Sequence, residues 1–498
     1  MDRNEIKFLL THSSIYGLGT VVSQAVSFFM LPLYTRFLTP KDYGILELID
    51  VTTMLTGLIF TLGISAGMSR FYYEDESPRY RNAVVGTTYL CYFGISLLLF
   101  PPLLLLSPVF AKVVLSGEGL ADFFVISFLS LFLGGVTDIG LMYLRLIKKP
   151  IWFSFVTVTR LTLSVGLNIL FVAFFKWGIM GILLSSLIGR GVYAIIMTGV
   201  ILMGTRLKFS WPLARELLKF TLPLIPSLFA GTLIKQSDKY FVRYLVSISE
   251  TGIYGLALKM GSAIHYLLTV PFLTAFIPRR FEIINRKEAP LVFRDVFRQY
   301  SFVFIFCGLA LSILTPEIFK VMVTEKFRAA GKYVPLVILS LFILGCQHQF
   351  DLGLYYSKKT KFIAYIDILA ALLQLPMNFF FIRMFGLWGA ILSSLATLTV
   401  QASLYLSFSR RYYQVDYNLI TILKALSLSI GLYLLSILIA SGNIAVDFTI
   451  KMVILVSFLP MGAMLRIVSK EEIEIVKEVT RRVVRKWRGL LKRALGPA

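Results

Sequence analysis

The chain has 498 residues, 57% of them hydrophobic and only 15% charged, with a mean hydropathy of +0.78. A water-soluble fold of this length could not hide so much apolar surface, so the class is an all-α polytopic membrane protein. The net charge of +23 then reads as positive loops on the cytoplasmic face of a membrane rather than as a nucleic-acid surface. Cys91, Cys307 and Cys346 lie inside apolar runs, with neither metal-ligand spacing nor the pattern of a disulfide framework.

Met1 to His12 forms a short tail carrying Arg3 and Lys7. The apolar run that follows has spanning length and no small-residue cleavage site, so it is expected to stay as a first span near 15–37. Further spans are predicted near 44–66, 84–106, 121–144, 153–175 and 179–203, and the Pro101-Pro102 pair is expected to kink the third. A basic connector, RLKFSWPLARELLK, leads to a seventh span at 220–245. That span carries Lys235, Asp238 and Lys239 where hydrocarbon should be, each charge costing roughly 2.5–3.5 kcal/mol at a bilayer centre. Such charges face water or one another, so this helix is expected to begin a second half and to line a cationic cavity. An eighth span near 252–276 is followed by the basic segment 278–300, which reads as a helix along the membrane surface. Spans near 302–323, 334–356, 362–384, 387–408, 419–440 and 444–467 bring the expected total to about fourteen. From 469 to 498 the chain is a basic amphipathic tail suited to an anionic inner leaflet.

Lysine and arginine set the orientation. With both termini in the cytoplasm, the inner loops hold Arg79, Arg81, Lys148, Lys149, Arg206, Arg279, Arg280, Lys358, Lys359 and others, against Lys41, Lys112, Lys176, Lys326, Arg328 and Lys332 outside. The bias is roughly three to one. Removing both sets leaves Arg160, Arg190, Lys235, Lys239 and Lys259 deep within spans.

The two halves repeat. GILLSS (181–186) matches GAILSS (389–394), DIGLMY (138–143) matches DLGLYY (351–356), and Asn168 matches Asn378. Lysine pairs follow at 148–149 and 358–359, and PKDYGI ending at Ile45 aligns with ISETGI ending at Ile253. An offset of six helices gives two parallel repeats, 1–208 and 209–411, forming two lobes around a central cavity. Residues 412–468 then supply two extra C-terminal helices.

LPLYTRFLTPKDYGIL (31–46), SDKYFV (237–242) and GIYGLALK (252–259) resemble the polysaccharide transporters, the O-antigen and exopolysaccharide lipid flippases of the multidrug/oligosaccharidyl-lipid/polysaccharide exporter superfamily. The resemblance covers the first twelve spans. It implies flipping of an undecaprenyl-pyrophosphate-linked oligosaccharide to the outer leaflet of a bacterial cytoplasmic membrane. The partners it implies are that lipid-linked glycan, membrane lipids and polysaccharide polymerase machinery; it implies no cofactor. Related flippases hold the pyrophosphate and sugars in a cationic cavity while the polyprenyl tail stays in lipid. Some relatives place an arginine on the first span, where this chain has Gln24.

The deep cations Arg160, Arg190, Lys235, Lys239 and Lys259 suit a diphosphate, which arginine forks and lysine point charges meet well. Arg160 has the alternative of snorkelling to the inner surface, whereas Arg190 is too deep for that. Asp138, Asp238 and Asp351 are candidates for binding a coupling ion, beside Glu47, Asp50 and Asp367. Asp138 and Asp351 have the alternative of holding the basic loops that follow them. His265 and His348 read as satisfied buried histidines. No nucleophile–base pair, HExxH or Walker loop is present, so enzymatic chemistry is not expected. The competing reading is a cation-coupled multidrug exporter of the same superfamily, which deep cations disfavour. A membrane-bound glycan polymerase would need larger outer loops than these.

Overall fold

In the computed structural model, residues 26, 28–61, 63–205, 207–439 and 444–465 are described. Most of the first predicted span, Gln24, Arg206 and the basic tail lie outside them. Among the described residues, twelve helices are long and apolar enough to cross a membrane. The chain is an all-helical polytopic membrane protein. Leu98, Leu105, Ile195, Leu372 and Val453 stand strongly exposed on its outer faces, as a lipid-facing belt requires.

The first half comprises α1 (Leu31–Phe37), α2 (Pro40–Thr61), α3 (Ile64–Phe71), α4 (Pro78–Phe110), α5 (Ala121–Leu146), α6 (Pro150–Asn168) and α7 (Gly178–Gly204). Local chemistry starts these helices. Thr39 and Asp42 form a reciprocal cap at α2, with Thr39 N–H donating to Asp42 Oδ2 at 2.9 Å and Asp42 N–H donating to Thr39 Oγ1 at 3.2 Å. Ser77 caps α4 ahead of Pro78. α4 contains Pro101, Pro102 and Pro108, and its C-terminus widens into a π-helical turn at Ala111–Leu115.

The connector becomes α8 (Trp211–Thr221), and the second half follows as α9 (Ile225–Leu245), α10 (Ile248–Ile264), α11 (Val270–Ile283), α12 (Ala289–Met322), α13 (Val334–Phe350), α14 (Leu352–Tyr356), α15 (Thr360–Phe385) and α16 (Leu387–Arg410). α9 has spanning length but too many charges to count among the twelve apolar helices. α10 and α11 are one rod joined by a π-helical turn, His265–Thr269, just before Pro271, whose missing N–H breaks the regular ladder. The basic segment 278–300 is not a separate surface helix. Its residues end α11 and begin the 34-residue α12, because the apolar periodicity of α12 extends back through Phe293 and Phe297 into the core. α17 (Leu419–Leu438) and α18 (Ile444–Met464) pack on α12, where Lys451 Nζ meets Glu317 Oε1 at 2.7 Å.

Residues paired by the sequence repeat adopt like geometry in places. Lys148 and Lys358 both take positive φ, and Lys149 and Lys359 each donate a backbone N–H five residues back, to Leu144 and Leu354, at 2.9 Å. Gly44 of α2 and Gly252 of α10 cross reciprocally. A Cβ on Gly44 would stand 1.9 Å from the carbonyl oxygen of Ile248, and one on Gly252 would stand 2.0 Å from that of Pro40. Hydrogen bonds joining the halves gather at this end of the bundle. Arg243 Nε donates to Val114 O at 2.6 Å, Tyr244 Oη to Val113 O at 2.5 Å, and Thr324 Oγ1 to Thr35 O at 2.8 Å.

Candidate functional site

Beside the helix pair that crosses at Gly44 and Gly252, two chambers adjoin. The larger has a volume of about 670 Å³ and is lined mostly by the second half; the smaller, about 190 Å³, is lined mostly by the first. Glu47, Asp50 and Lys259 line both, so the junction lies between the halves. The larger chamber reaches to Tyr355, two residues before the Ser357–Lys359 turn at the opposite end of the bundle.

The sequence placed the charges of α9 deep in the protein, and the structure shows how they are held. Lys239, 8% exposed, donates to Glu47 Oε2 of α2 at 2.5 Å. The contact crosses Gly255, where a Cβ would stand 2.5 Å from Glu47 Cγ. Asp238, 3% exposed, does not pair with a lysine side chain. It accepts from Tyr254 Oη at 2.5 Å and from the backbone N–H of Lys239 at 2.8 Å. Asp351 accepts from Arg280 Nη1 at 2.8 Å, and the same nitrogen donates to His348 O at 2.9 Å. Asp367 accepts from Tyr405 Oη at 2.6 Å and Gln401 Nε2 at 2.8 Å.

The larger chamber therefore carries both signs, with Glu47, Asp50, Asp238, Asp351 and Asp367 beside Lys235, Lys239 and Lys259. A chamber of lysines alone would be opposed by mutual repulsion in low dielectric, which nearby carboxylates relieve. The two signs differ in how they are occupied. Four of the carboxylates already accept hydrogen bonds from the groups just described. Among the described residues, Lys235 and Lys259 have no carboxylate at ion-pair distance, and Lys259 Nζ sits 5.7 and 5.9 Å from the ring centres of Tyr34 and Tyr43. Arg190 lines the smaller chamber and, among the described residues, donates only to Ser130 O, at 3.3 Å. Asp50 is the one lining carboxylate without a hydrogen-bond or ion-pair partner among the described residues.

Lys235, Lys239, Lys259 and Asp238 thus share one chamber with Asp351, and Arg190 reaches the other. Arg160 lines neither; it acts electrostatically, with Arg190 and Arg145, on Asp138, which is exposed. Asp138 and Asp351, paired in the repeat, therefore occupy different environments. Nothing in the local sequence pairs Glu47 with Lys239 or Arg280 with Asp351. Glu47 and Asp50 share a face of α2 and are its only charges between residues 43 and 61, which was a usable signal. Arg280 gave none, because it falls in a basic run that looked superficial. Among the described residues, no group of three or more His, Cys, Asp or Glu is placed to hold a metal ion.

A spanning helical bundle around a polar chamber between its two halves defines a multi-pass membrane transporter. Residues 9–284 match the family model described as polysaccharide biosynthesis protein, and the chain belongs to that family. It is 25% identical over 395 residues to an uncharacterized membrane protein of Haemophilus influenzae, covering 74% of this chain and 89% of that one. Its fold is similar to the lipid II flippase MurJ in an inward closed conformation, with a TM-score of 0.72, 16% identity, and coverage of 92% of this chain and 99% of MurJ. It is also similar to an inward-facing multidrug resistance MATE family transporter of the MOP superfamily, with a TM-score of 0.63, 12% identity, and coverage of 78% and 94%.

Proposed function

We propose that this protein flips an undecaprenyl-pyrophosphate-linked oligosaccharide from the cytoplasmic to the outer leaflet, for assembly of a cell-surface polysaccharide. The observation that carries this reading is the set of cations with charge to offer: among the described residues, Lys235, Lys259 and Arg190 line the chambers with no carboxylate at ion-pair distance, while most lining acids already accept hydrogen bonds. A diphosphate diester bound at the Lys259 junction would meet charge from both halves. Family membership and the fold shared with a lipid II flippase support the same substrate class. In this reading residues 1–208 and 209–411 are parallel six-helix lobes, residues 412–468 add two spans, and α9 and the first span bring the total to fourteen. Both termini and the tail 469–498 are cytoplasmic. The lobes rock about the central site to give alternating access.

The test combines export in cells with binding by the purified full-length chain. Arg190→Ala and Lys259→Ala should abolish glycan export at near-normal membrane abundance and weaken binding of undecaprenyl pyrophosphate. Arg160→Ala, outside both chambers, should act more mildly. Normal export by both cavity variants defeats the assignment. The unpartnered Asp50 favours a second reading, export of lipophilic cations. Energy-dependent ethidium efflux that is lost in Asp50→Asn and kept in Lys259→Ala would establish that reading instead. Asp138, Asp238 and Asp351 are the candidates for a coupling ion, to be examined by the dependence of transport on sodium and proton gradients.

A further inference from the structure

Lys239 and Glu47 hold each other, yet they belong to different halves. Their ion pair runs from α9 to α2, one helical turn along α2 from the Gly44–Gly252 crossing. The next residue of α9 adds a neutral tie, a hydrogen bond of 2.7 Å between Tyr240 Oη and Thr52 Oγ1 of α2. The ion pair is buried but not sealed. Both side chains line the larger chamber, with 10% of Lys239 and 14% of Glu47 exposed. Glu47 also lines the smaller chamber, beside Arg190 and Lys259. The pair of Lys451 with Glu317 is as well buried, but it lines neither chamber and does not join the halves.

A carboxylate and a phosphate offer an ammonium the same thing, negative oxygens at hydrogen-bond distance. Glu47 already supplies what a buried lysine needs, so an anion reaches Lys239 only by taking the place of Glu47. That exchange keeps Lys239 paired, and Glu47 can turn toward Arg190 and Lys259 in the smaller chamber that it already lines. The exchange also breaks a tie between the halves. A ligand shifts a conformational equilibrium by the difference in its affinity for the two states, and an anion on Lys239 is favoured where the tie is broken. A neutral molecule has nothing to offer Lys239 and leaves the tie closed. We infer that Glu47 is a resident counter-anion, which holds Lys239 in the empty protein, yields it to the head group, and so makes separation of the halves at this end conditional on an anionic cargo. This rests on the flippase reading and adds to it a specificity-determining residue that is itself negative.

The experiment uses the full-length chain and two readouts. One is binding of undecaprenyl pyrophosphate to the purified protein. The other is labelling of Ser262→Cys, with Cys91, Cys307 and Cys346 replaced, by a membrane-impermeant maleimide applied to intact cells that make no glycan. Glu47→Gln should bind the probe roughly tenfold more tightly than wild type, because nothing then competes for Lys239. It should also raise labelling from outside about fivefold or more without cargo. Adding Lys239→Met should cancel the gain in affinity. Asp50→Asn removes a charge from the same lining that has no ion pair among the described residues, and it should leave labelling at the wild-type level. Glu317→Gln, which orphans Lys451 away from both chambers, should lower the melting temperature and leave both readouts alone. Glu47→Asp keeps the charge but shortens its reach to Lys239; its affinity should lie between wild type and Glu47→Gln, which keeps the test open if Glu47→Gln folds poorly. Unchanged or weaker binding by the Glu47 variants overturns the inference and leaves the flippase reading intact. So do equal gains in Glu47→Gln and Asp50→Asn with labelling unchanged, since Glu47 would then be only one more negative charge. A wild type that does not bind the probe removes the flippase reading itself, and this inference with it.

Discussion

Replacing Gly44 or Gly252 by alanine tests whether the end of the cavity is a gate sealed by backbone contact. Each added Cβ would approach a carbonyl oxygen of the opposite half to 1.9 or 2.0 Å, where ordinary contact begins at about 3.4 Å. A backbone carbonyl in the middle of a packed crossing cannot rotate away as a side chain can. α2 and α10 must therefore part by about 1.5 Å, a strain in the range of roughly 1–3 kcal/mol for an overpacked core. If the lobes separate here during transport, that strain falls only on the state closed at this end. It shifts the population toward the state open at this end by about 5- to 150-fold. The sign separates this account from a trivial one. Without the close approach, glycine to alanine within a helix would stabilise by about 0.5–1 kcal/mol. The assay places a single cysteine at the chamber-lining Ser262 in a background lacking Cys91, Cys307 and Cys346, and applies a membrane-impermeant maleimide to intact cells. Gly44→Ala and Gly252→Ala should raise labelling from outside and lower the melting temperature of the purified protein. Unchanged labelling together with equal or higher melting temperature would refute the reasoning.

Glu47→Gln should destabilise, by at most about 3–5 kcal/mol, because Lys239 loses the partner that holds its buried charge. Glu47→Gln with Lys239→Met should regain much of the melting temperature, and a double variant as unstable as the single one would show that the pair is not a unit. Lys451→Met leaves Glu317 without its partner between α12 and α18, so melting should fall while undecaprenyl pyrophosphate binding is kept; lost binding at normal melting would tie α18 to the site. In topology, Lys359→Cys should label only from the inside and Lys326→Cys from the outside, the reverse pattern overturning the charge-based orientation.

Much of this molecule was legible in its residues because the bilayer is a simple solvent. It demands long apolar helices and prices every charge within them, so hydropathy located the spans and left Lys235, Lys239, Lys259 and Arg190 standing out. Local likenesses were legible too, since Gly44 and Gly252, and the lysine pairs at 148 and 358, recur with their order kept and share backbone geometry. Helix ends were less so. The segment 278–300 looked like a surface helix because composition does not say whether a basic stretch lies along the membrane or prolongs a spanning rod; packing of Phe293 and Phe297 into the core settles it. Only the tertiary structure decided how the charges are shared. Glu47 lies 192 residues from Lys239 and Arg280 lies 71 from Asp351, so no local period connects them. Which cations are neutralised and which remain available depends on distances across helices that the chain order does not encode.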